Sequence, residues 1–404
     1  MHKYKLKDLL VIKNGSDYRH LSQGNIPVYG SGGLMCYVNK PMSIKPSILL
    51  PRKGTLDNIM YVETPFWTVD TMYWTEVNDD IVEPYYLYNY LKVLRFDGIR
   101  SGSTLPSMTS SAYYDIPIVL PNYEKQKKIA DILKYLDDKI ELNSKINKEL
   151  EQMAKTLYEY WFVQFDFPDE KGRPYKSANG KMVYNDILKR EIPDGWAAGT
   201  FSSYIKQEKG GDWGKDECVG NYTKKVICIR GADFPALLGR SVCNAPIRYI
   251  LNKNSSKLLS LGDLIVEISG GSPTQSTGRI GYINNNVLNR FDTDIITSNF
   301  CKALSLNNKN TLYNFYLEWD RLYKADVFFN YEGKTTGIKN LLFDNFVKTY
   351  KIVIPPQNII NSFYSRVNPL FEKIQSNSKE NKKLAELRDF LLPLLMNGQV
   401  SVQN

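Results

Sequence analysis

The stretch "DDKIELNSKINKEL", Asp137–Leu150, sets two asparagines into a helical pattern that otherwise favours apolar residues. Apolar side chains recur here in steps of four and three, which is the spacing of a coiled-coil seam. Asn143 and Asn147 occupy two positions of that seam. Polar residues at seam positions fix register and partner at some cost in stability. The stretch therefore predicts a long helix that packs on another helix through its asparagines.

A second copy of this helix lies near the C-terminus, in "FEKIQSNSKENKKL", Phe371–Leu384. The two copies align without a gap from the apolar strand that precedes each of them. Unrelated amphipathic helices would share apolar positions but not a common "NSK" and a following Asn-Lys, so the chain contains a duplicated unit. The matched residues of the first copy include Ile118, Val119, Pro121, Lys139, Ile140, Asn143, Ser144, Lys145, Asn147, Lys148, Leu150 and Leu157.

We expect the two copies to pack on each other antiparallel, because the apolar seam of either helix alone would be exposed to water. A slip of one heptad would bury asparagine against leucine and leave amides unpaired, at about 1–3 kcal/mol each. Leu136 opposite Arg388 is the one mismatch in the predicted register. The alternative is that the asparagines face solvent at the edge of the seam. The predicted pairs include Asn143 with Asn381, Asn147 with Asn377, Leu150 with Ile374, and Trp161 with Phe363.

The domain organisation follows from the repeat, since 404 residues exceed one ordinary core. Each repeated helix follows a globular region with alternating, strand-like patterning. Pro168, Gly172, Pro174 and Gly180 break the pattern between the first helix and the second region. The predicted parts are a first domain at 1–121, a first helix at 122–165, a linker at 166–190, a second domain at 191–355, and a second helix with a C-terminal tail at 356–404.

Composition excludes several classes of function. No apolar run approaches the roughly 18 residues of a membrane span, which predicts a soluble cytoplasmic protein. The five cysteines form no CxxC pair, so we predict neither a disulfide framework nor a metal site. The two histidines, His2 and His20, leave the rest of the chain without an imidazole base. The net charge of +9 permits nucleic-acid binding, but no basic tail or block carries it.

Motifs for catalysis are missing, and we predict no catalytic residues. The Asp/Asn-Pro-Pro-Tyr/Phe signature of adenine methylation is absent. The Gly-Lys-Thr in "EGKTTG" lacks the first glycine of a phosphate-binding loop, because Phe328 occupies that position. An enzyme with an unrecognised site remains one alternative, and a protein-binding coiled-coil scaffold without DNA specificity remains another.

The chain resembles the specificity (S) subunits of type I restriction-modification systems. The resemblance rests on "KYKLKDLLVIKNG", "IPVYGSGG" and "ILLPRKGT" in the first domain. It also rests on "EKQKKIADILKYLDDKIELNSKINKELEQMAKTLYEYWFVQFDF" in the first helix, "REIPDGW" before the second domain, and "LLPLLMNGQVSV" near the end. It covers nearly the whole chain.

The resemblance implies an α+β fold with two similar globular α/β target-recognition domains, separated by a pair of long antiparallel, coiled-coil-like helices with pseudo-two-fold symmetry. Each domain would read one half of a bipartite, asymmetric site in double-stranded DNA. The helices would set the spacer and dock two adenine-N6 methyltransferase (M) subunits, to which restriction (R) subunits add. The chain would have no cofactor, since S-adenosylmethionine, ATP and Mg belong to the partner subunits. DNA methylation and prokaryotic defence are the implied roles.

DNA contact requires side chains that hydrogen-bond base edges, or basic groups and backbone amides for phosphates. We selected candidates from glycine-containing loops and strand ends of the two domains. In the first domain they are Tyr29, Ser31, Arg52, Lys53, Thr55, Arg100, Ser103 and Thr104, and in the second Lys209, Trp213, Arg230, Lys334, Thr335 and Lys339.

Overall fold

The computed structural model describes residues 2–94, 106–241, 243–272, 274–335 and 338–400. It contains two compact units. The first unit comprises Met1–Ile140 with Lys383–Asn404, and the second comprises Glu141–Lys382.

The elements of the first unit are β1 (His2–Lys5), β2 (Leu10–Asn14), β3 (Gln23–Gly30), β4 (Gly33–Val38), β5 (Ser47–Pro51), β6 (Met60–Val62), β7 (Trp67–Thr68), β8 (Met72–Val77), α1 (Pro84–Val93), α2 (Ser110–Tyr114), β9 (Pro117–Leu120) and α3 (Tyr123–Tyr158). In the described residues the strands form three sheets. A four-stranded antiparallel sheet has the order β2-β8-β5-β6, and a three-stranded sheet has the order β4-β3-β7 with β3 and β7 parallel. The first strand pairs with the last, β1 with β9.

The second unit contains the continuation of α3 and most of the last helix. A π-helical turn, Glu159–Val163, follows α3. The further elements are β10 (Met182–Asn185), β11 (Arg190–Pro193), β12 (Ala197–Thr200), β13 (Ile205–Gly210), β14 (Tyr222–Ile229), α4 (Phe234–Leu237), β15 (Ile247–Leu251), β16 (Leu264–Glu267), β17 (Ser269–Gly270), β18 (Ile280–Tyr282), α5 (Asn285–Leu288), β19 (Ile295–Thr297), β20 (Cys301–Leu306), α6 (Leu312–Lys324), β21 (Glu332–Thr335), β22 (Ile338–Leu341), α7 (Phe343–Thr349), β23 (Lys351–Ile354) and α8 (Gln357–Met396).

The sheets of the second unit repeat those of the first. The four-stranded order is β13-β20-β16-β18, the three-stranded order is β15-β14-β19 with β14 and β19 parallel, and β12 pairs with β23. Even the bridge between Lys53 and Ser107 has a counterpart, in the pairing of Ser269 with Asn340. The second unit adds the hairpin β10-β11 and extends that pairing into the sheet β17-β22-β21. The predicted fold class, two similar mixed domains with long paired helices, is confirmed.

Each unit has its own apolar core. In the first, residues of α1 such as Leu87 and Leu91 pack with Ile129 and Leu133 of α3, all fully buried. In the second, Trp319 of α6 and Phe346 of α7 lie among buried aromatic side chains. The long helices therefore belong to the cores, because one face of each is covered by a globular domain.

The seam asparagines bind each other. Asn143 Nδ2 donates to Asn381 Oδ1 at 2.9 Å, and Asn377 Nδ2 donates to Asn147 Oδ1 at 2.9 Å. Asn147 Nδ2 also donates to the carbonyl oxygen of Ile374 at 3.3 Å. Asn143, Asn147 and Asn377 are buried, so the alternative that they face solvent is wrong. Within the second unit, α3 and α8 are antiparallel in the register that the sequence predicted.

Flanking contacts follow the same register. Trp161 meets Phe363 with ring centroids 5.7 Å apart, which confirms that predicted pair. The mismatch of Leu136 and Arg388 is resolved in the first unit by the neighbouring carboxylate, because Arg388 Nη1 donates to Asp137 Oδ1 at 2.6 Å. The arginine thereby keeps an ionic partner beside the apolar seam.

The segment predicted as a linker is packed. The Phe167 ring stacks on Tyr175 at 4.6 Å and on Trp196 at 4.9 Å. The Asp166 carboxylate accepts hydrogen bonds from the backbone and the hydroxyl of Ser177, at 2.7 and 2.6 Å. The helical segment ends at Val163, before Pro168, and Phe165 has a positive φ of 67°. Aromatic burial ties the connection to the core of the second unit. The predicted domain boundaries themselves stay a prediction.

Replacing Asn147 by leucine should lower the free energy of unfolding by about 1–3 kcal/mol, because the buried Asn377 amide loses its acceptor. Adding Asn377→Leu should recover part of the loss, since no unpaired amide then remains. Urea unfolding followed by circular dichroism measures both changes. Gln152→Leu, which also replaces a side-chain amide by leucine but on the exposed face of α3, is the control. A wild-type midpoint for Asn147→Leu would contradict the register role of the pair.

Candidate nucleic-acid interface

Each unit has an open cleft at the carboxyl ends of its two parallel strands. In the first unit the loops after β3 and β7 line a cleft of about 620 Å³, together with Asp17, Tyr18 and Arg19. In the second, the loops after β14 and β19 line a cleft of about 600 Å³, together with Trp213. Loops that follow neighbouring parallel strands meet at one edge of the sheet, and this is where such sheets commonly bind ligands.

The two clefts occupy equivalent places, as their backbone hydrogen bonds show. From these bonds, Asp17 corresponds to Trp213, Gly30 to Arg230, and Thr71 to Phe300. The matching bonds, with the first unit before the second, are Val69 N to Tyr29 O and Ser298 N to Ile229 O, Ser16 N to Thr68 O and Asp212 N to Thr297 O, and Arg52 N to Thr71 O and Ile268 N to Phe300 O.

One close approach shapes both clefts. A Cβ added to Gly15 would lie 2.0 Å from the carbonyl oxygen of Val69, and one added to Gly211 would lie 1.9 Å from that of Ser298. No side chain fits at such a distance, so the strand before the cleft passes directly against the loop opposite. The same backbone constraint is thus present in both units, whatever side chains line the clefts.

The structure brings several predicted residues of the first domain together. Ser31 lines the cleft, and its carbonyl oxygen accepts a hydrogen bond from Asn58 Nδ2 at 2.9 Å. A Cβ on Gly54 would lie 3.1 Å from Ser31 Oγ, so the loop that carries Lys53 and Thr55 packs against the loop of Ser31. Tyr29 lies just behind the cleft, and its partial burial raises the pKa of its hydroxyl. Its ring packs against the buried apolar cluster that contains Leu49 and Phe66.

Two basic residues stand beside this cleft. The Arg52 guanidinium lies 5.8 Å from the centroid of the Tyr73 ring, while Lys53 and Thr55 are exposed. None of the acidic residues that the structure describes forms an ion pair with Arg52 or Lys53. Both cations can therefore contact a phosphate. The predicted residues Arg100, Ser103 and Thr104 lie outside the described residues.

The second cleft differs because its cations are paired. Arg230 donates to both carboxylate oxygens of Asp233, at 2.8 and 3.0 Å. Arg279 donates to both carboxylate oxygens of Glu267, at 2.8 and 2.6 Å. Hydrogen bonds from these guanidinium groups to carboxylates raise the pKa of each arginine, so both guanidinium groups stay charged. Bidentate pairs of this kind are rigid and nearly neutral at a distance.

Lys209 and Lys339, both predicted to contact DNA, have carboxylate partners within the protein. The Lys209 ammonium donates to Asp263 Oδ2 at 2.7 Å and to the carbonyl oxygen of Leu258, and its side chain is 9% exposed. Placing it at a DNA surface is wrong, because its charge is buried and matched. Lys339 pairs with Glu332 at 3.0 Å and is half-buried. The side chains of Lys334 and Thr335 lie outside the described part.

Sequence reasoning missed most of the residues that line the clefts, among them Asp17, Glu267, Arg279 and Phe300. An arginine and a glutamate twelve positions apart give no local signal of a bond. Phe300 is 55% exposed, although phenylalanine in a pattern of strands is ordinarily assigned to the core. The glycines beside it in space, Gly270 and Gly271, were the available clue, since they mark a place where a ligand can approach the backbone.

The described residues contain no group of three or more His, Cys, Asp or Glu that could hold a metal ion. None of the helices in that part of the chain has the length and apolarity to cross a lipid bilayer. What the clefts offer is hydrogen-bonding loops, fixed ion pairs and exposed aromatic rings. Such groups suit recognition of a polar, flat-sided ligand.

Comparison with known proteins gives the family. Residues 1–152 match the model of the type I restriction modification DNA specificity domain. The chain is 30% identical over 377 residues to the type I restriction enzyme MjaIX specificity subunit of Methanocaldococcus jannaschii, covering 89% of this chain and 78% of that protein. It is 27% identical over 400 residues to the HindI specificity subunit of Haemophilus influenzae, covering 85% and 82%.

A solved structure agrees on the fold. The S subunit of the type I restriction-modification system from M. genitalium superposes with a TM-score of 0.62 at 15% identity, over 98% of this chain and 95% of that one. The chain therefore belongs to the specificity subunits of type I restriction enzymes, whose role in the enzyme is non-catalytic.

Proposed function

We propose that this chain selects a bipartite, asymmetric site in double-stranded DNA, with one half read at each cleft. The observation that carries the proposal is the pair of clefts at equivalent places in two domains of the same topology, with different side chains. A common backbone suits a common ligand, and different linings suit different base sequences. Asp17, Gly30 and Thr71 in one cleft stand where Trp213, Arg230 and Phe300 stand in the other.

Within the first cleft, base reading and phosphate contact would be divided between two loops. Ser31, which lines the cleft, would hydrogen-bond a base edge. Arg52 and Lys53 beside it would neutralise phosphates, which supplies affinity without sequence information. The neighbouring loops are tied together by the bond from Asn58 to the Ser31 carbonyl, so the two kinds of contact are held in fixed relation.

We also propose that the paired helices dock methyltransferase (M) subunits. Because the helical unit is duplicated, we expect two such subunits, and restriction (R) subunits would bind to the methyltransferases. Supporting this, Tyr135 of α3 and Leu387 and Phe390 of α8 expose 70%, 45% and 65% of their surface. Large exposed apolar side chains on otherwise polar helices are typical of protein interfaces. S-adenosylmethionine, ATP and Mg would then be bound by the partner subunits and not by this chain.

Removing the gene should abolish one bipartite N6-methyladenine motif in the host genome, and restoring the wild-type gene should return it. Long-read methylation sequencing detects the motif directly. The loss follows because the methyltransferase would have no other source of this target specificity. Methylation that stays unchanged after removal would contradict the proposal and favour a protein-binding scaffold without DNA specificity.

The double variant Arg52→Ala/Lys53→Ala should bind the mapped duplex more weakly and with less salt dependence. The logarithm of the association constant K falls as the logarithm of the salt concentration rises, and each lost phosphate contact makes that slope less steep by about 1. Fluorescence anisotropy with the complex of this chain and its methyltransferase measures both quantities. Lys171→Ala/Lys176→Ala removes the same charge from exposed positions outside the cleft and is the control. Equal slopes for the two double variants would contradict a phosphate role for Arg52 and Lys53.

A further inference from the structure

Two aromatic rings distinguish the cleft of the second unit. Trp213 and Phe300 both line it, and their exposed fractions are 36% and 55%. The equivalent positions of the first unit hold Asp17 and Thr71, neither of which can stack on a planar group. The difference concerns only the lining, because the backbone hydrogen bonds at both positions are the same in the two units.

Trp213 is held rigidly with one face covered. The Arg248 guanidinium lies 4.3 Å from its ring centroid, and Arg248 Nε donates to the Trp213 carbonyl oxygen at 2.8 Å. Arg248 is 4% exposed, so it belongs to the structure and cannot leave the ring to meet a ligand. A cation fixed on one face leaves the indole oriented in advance, and its remaining surface is available in the cleft. Preorganised aromatic groups bind with little loss of side-chain entropy.

Phe300 is fixed by its backbone while its ring is exposed. Its carbonyl oxygen accepts hydrogen bonds from the backbone N–H groups of Ile268 and Ser269, at 2.9 and 3.2 Å. Among the residues that the structure describes, no other aromatic ring packs on it. Burying an exposed phenylalanine against a partner is favourable. In the first unit the equivalent residue is Thr71, whose hydroxyl oxygen accepts a hydrogen bond from the Ser31 backbone N–H.

The charges around these rings argue against a phosphate as the group that they meet. Arg230 and Arg279 already have bidentate carboxylate partners, Asp233 and Glu267, so neither guanidinium group brings an unmatched positive charge to the cleft. A phosphate here would have to share a guanidinium group with its carboxylate, close to like charge, or displace that carboxylate. The flat face of a base carries no net charge and stacks favourably on aromatic side chains. The cleft lining therefore complements bases better than backbone.

We propose that Trp213 and Phe300 stack on base faces in the second half-site, so that recognition of this half includes aromatic stacking at two positions where the first cleft has Asp17 and Thr71. The proposal rests on the proposed function, since it names how one of the two clefts engages DNA. For a ring to contact a base face, two neighbouring base pairs of the duplex must unstack. The energy of unstacking depends on the DNA sequence and is lowest at pyrimidine–purine steps. Aromatic stacking thereby becomes a source of specificity and not only of affinity.

Phe300→Ala should weaken binding of the mapped duplex roughly 5- to 100-fold, the range expected for loss of one base–aromatic stack. The slope of log K against log salt should not change, because no phosphate contact is lost. Phe300→Tyr keeps the ring and should stay within about 3-fold of wild type, since stacking is retained. Trp213→Phe, which keeps a ring over Arg248, should weaken binding by less than Phe300→Ala. Anisotropy with the chain in complex with its methyltransferase measures all of these.

Tyr184→Ala removes an exposed aromatic ring from β10, outside the cleft, and should bind as wild type does. Thermal unfolding of each variant checks that the fold is intact, which the exposure of Phe300 leads us to expect. Wild-type affinity for Phe300→Ala, or an equal loss for Phe300→Tyr, would overturn the stacking proposal. Failure of the wild-type complex to prefer the mapped duplex would instead overturn the proposed function, so the two failures are distinguishable.

Discussion

The amide pairs between α3 and α8 are the constraint on which the helix packing depends. An amide buried against an apolar side chain loses hydrogen bonds that water would supply, and this cost exceeds what a slipped apolar contact could return. Asn143 with Asn381 and Asn147 with Asn377 each form a hydrogen bond between the helices in one register, which offsets much of that cost. That register also brings Trp161 to Phe363. The asparagines stabilise one pairing by making the alternatives worse, which is how polar seam residues work in coiled coils.

The duplication explains why the two units differ where they do. Strand order, the parallel pair and the close approaches of Gly15 and Gly211 are common to both, since each depends on buried contacts and backbone hydrogen bonds. The cleft linings are exposed and carry no such constraint, so they can change without disturbing the core. A domain of this kind can alter what it recognises at little cost in stability, because the loops that contact a ligand are separate from the strands that hold them.

Much of the architecture could be predicted from the sequence because it repeats. The seam, its asparagines and the antiparallel register are visible in spacing alone, and α3 and α8 begin at equivalent positions, Tyr123 and Gln357. The candidate interface was harder. Lys209 is a basic residue at a loop-like position, which suits contact with DNA, but its partner Asp263 is distant in sequence and nothing local indicates the bond. The prolines after α3 indicate a connecting segment. Its packing depends on the stacking of Phe167 on Trp196, a contact that local sequence does not reveal.

The central claim is that two clefts with one backbone read two half-sites by different means. The most direct measurement is the methylation motif of hosts that carry either Ser31→Val or Phe300→Ala in place of the wild-type gene. The account predicts that each variant relaxes the sequence of one half of the motif, a different half for each, while the spacer and the other half stay as in wild type. Relaxation of the same half by both variants, or of both halves by either one, would contradict it.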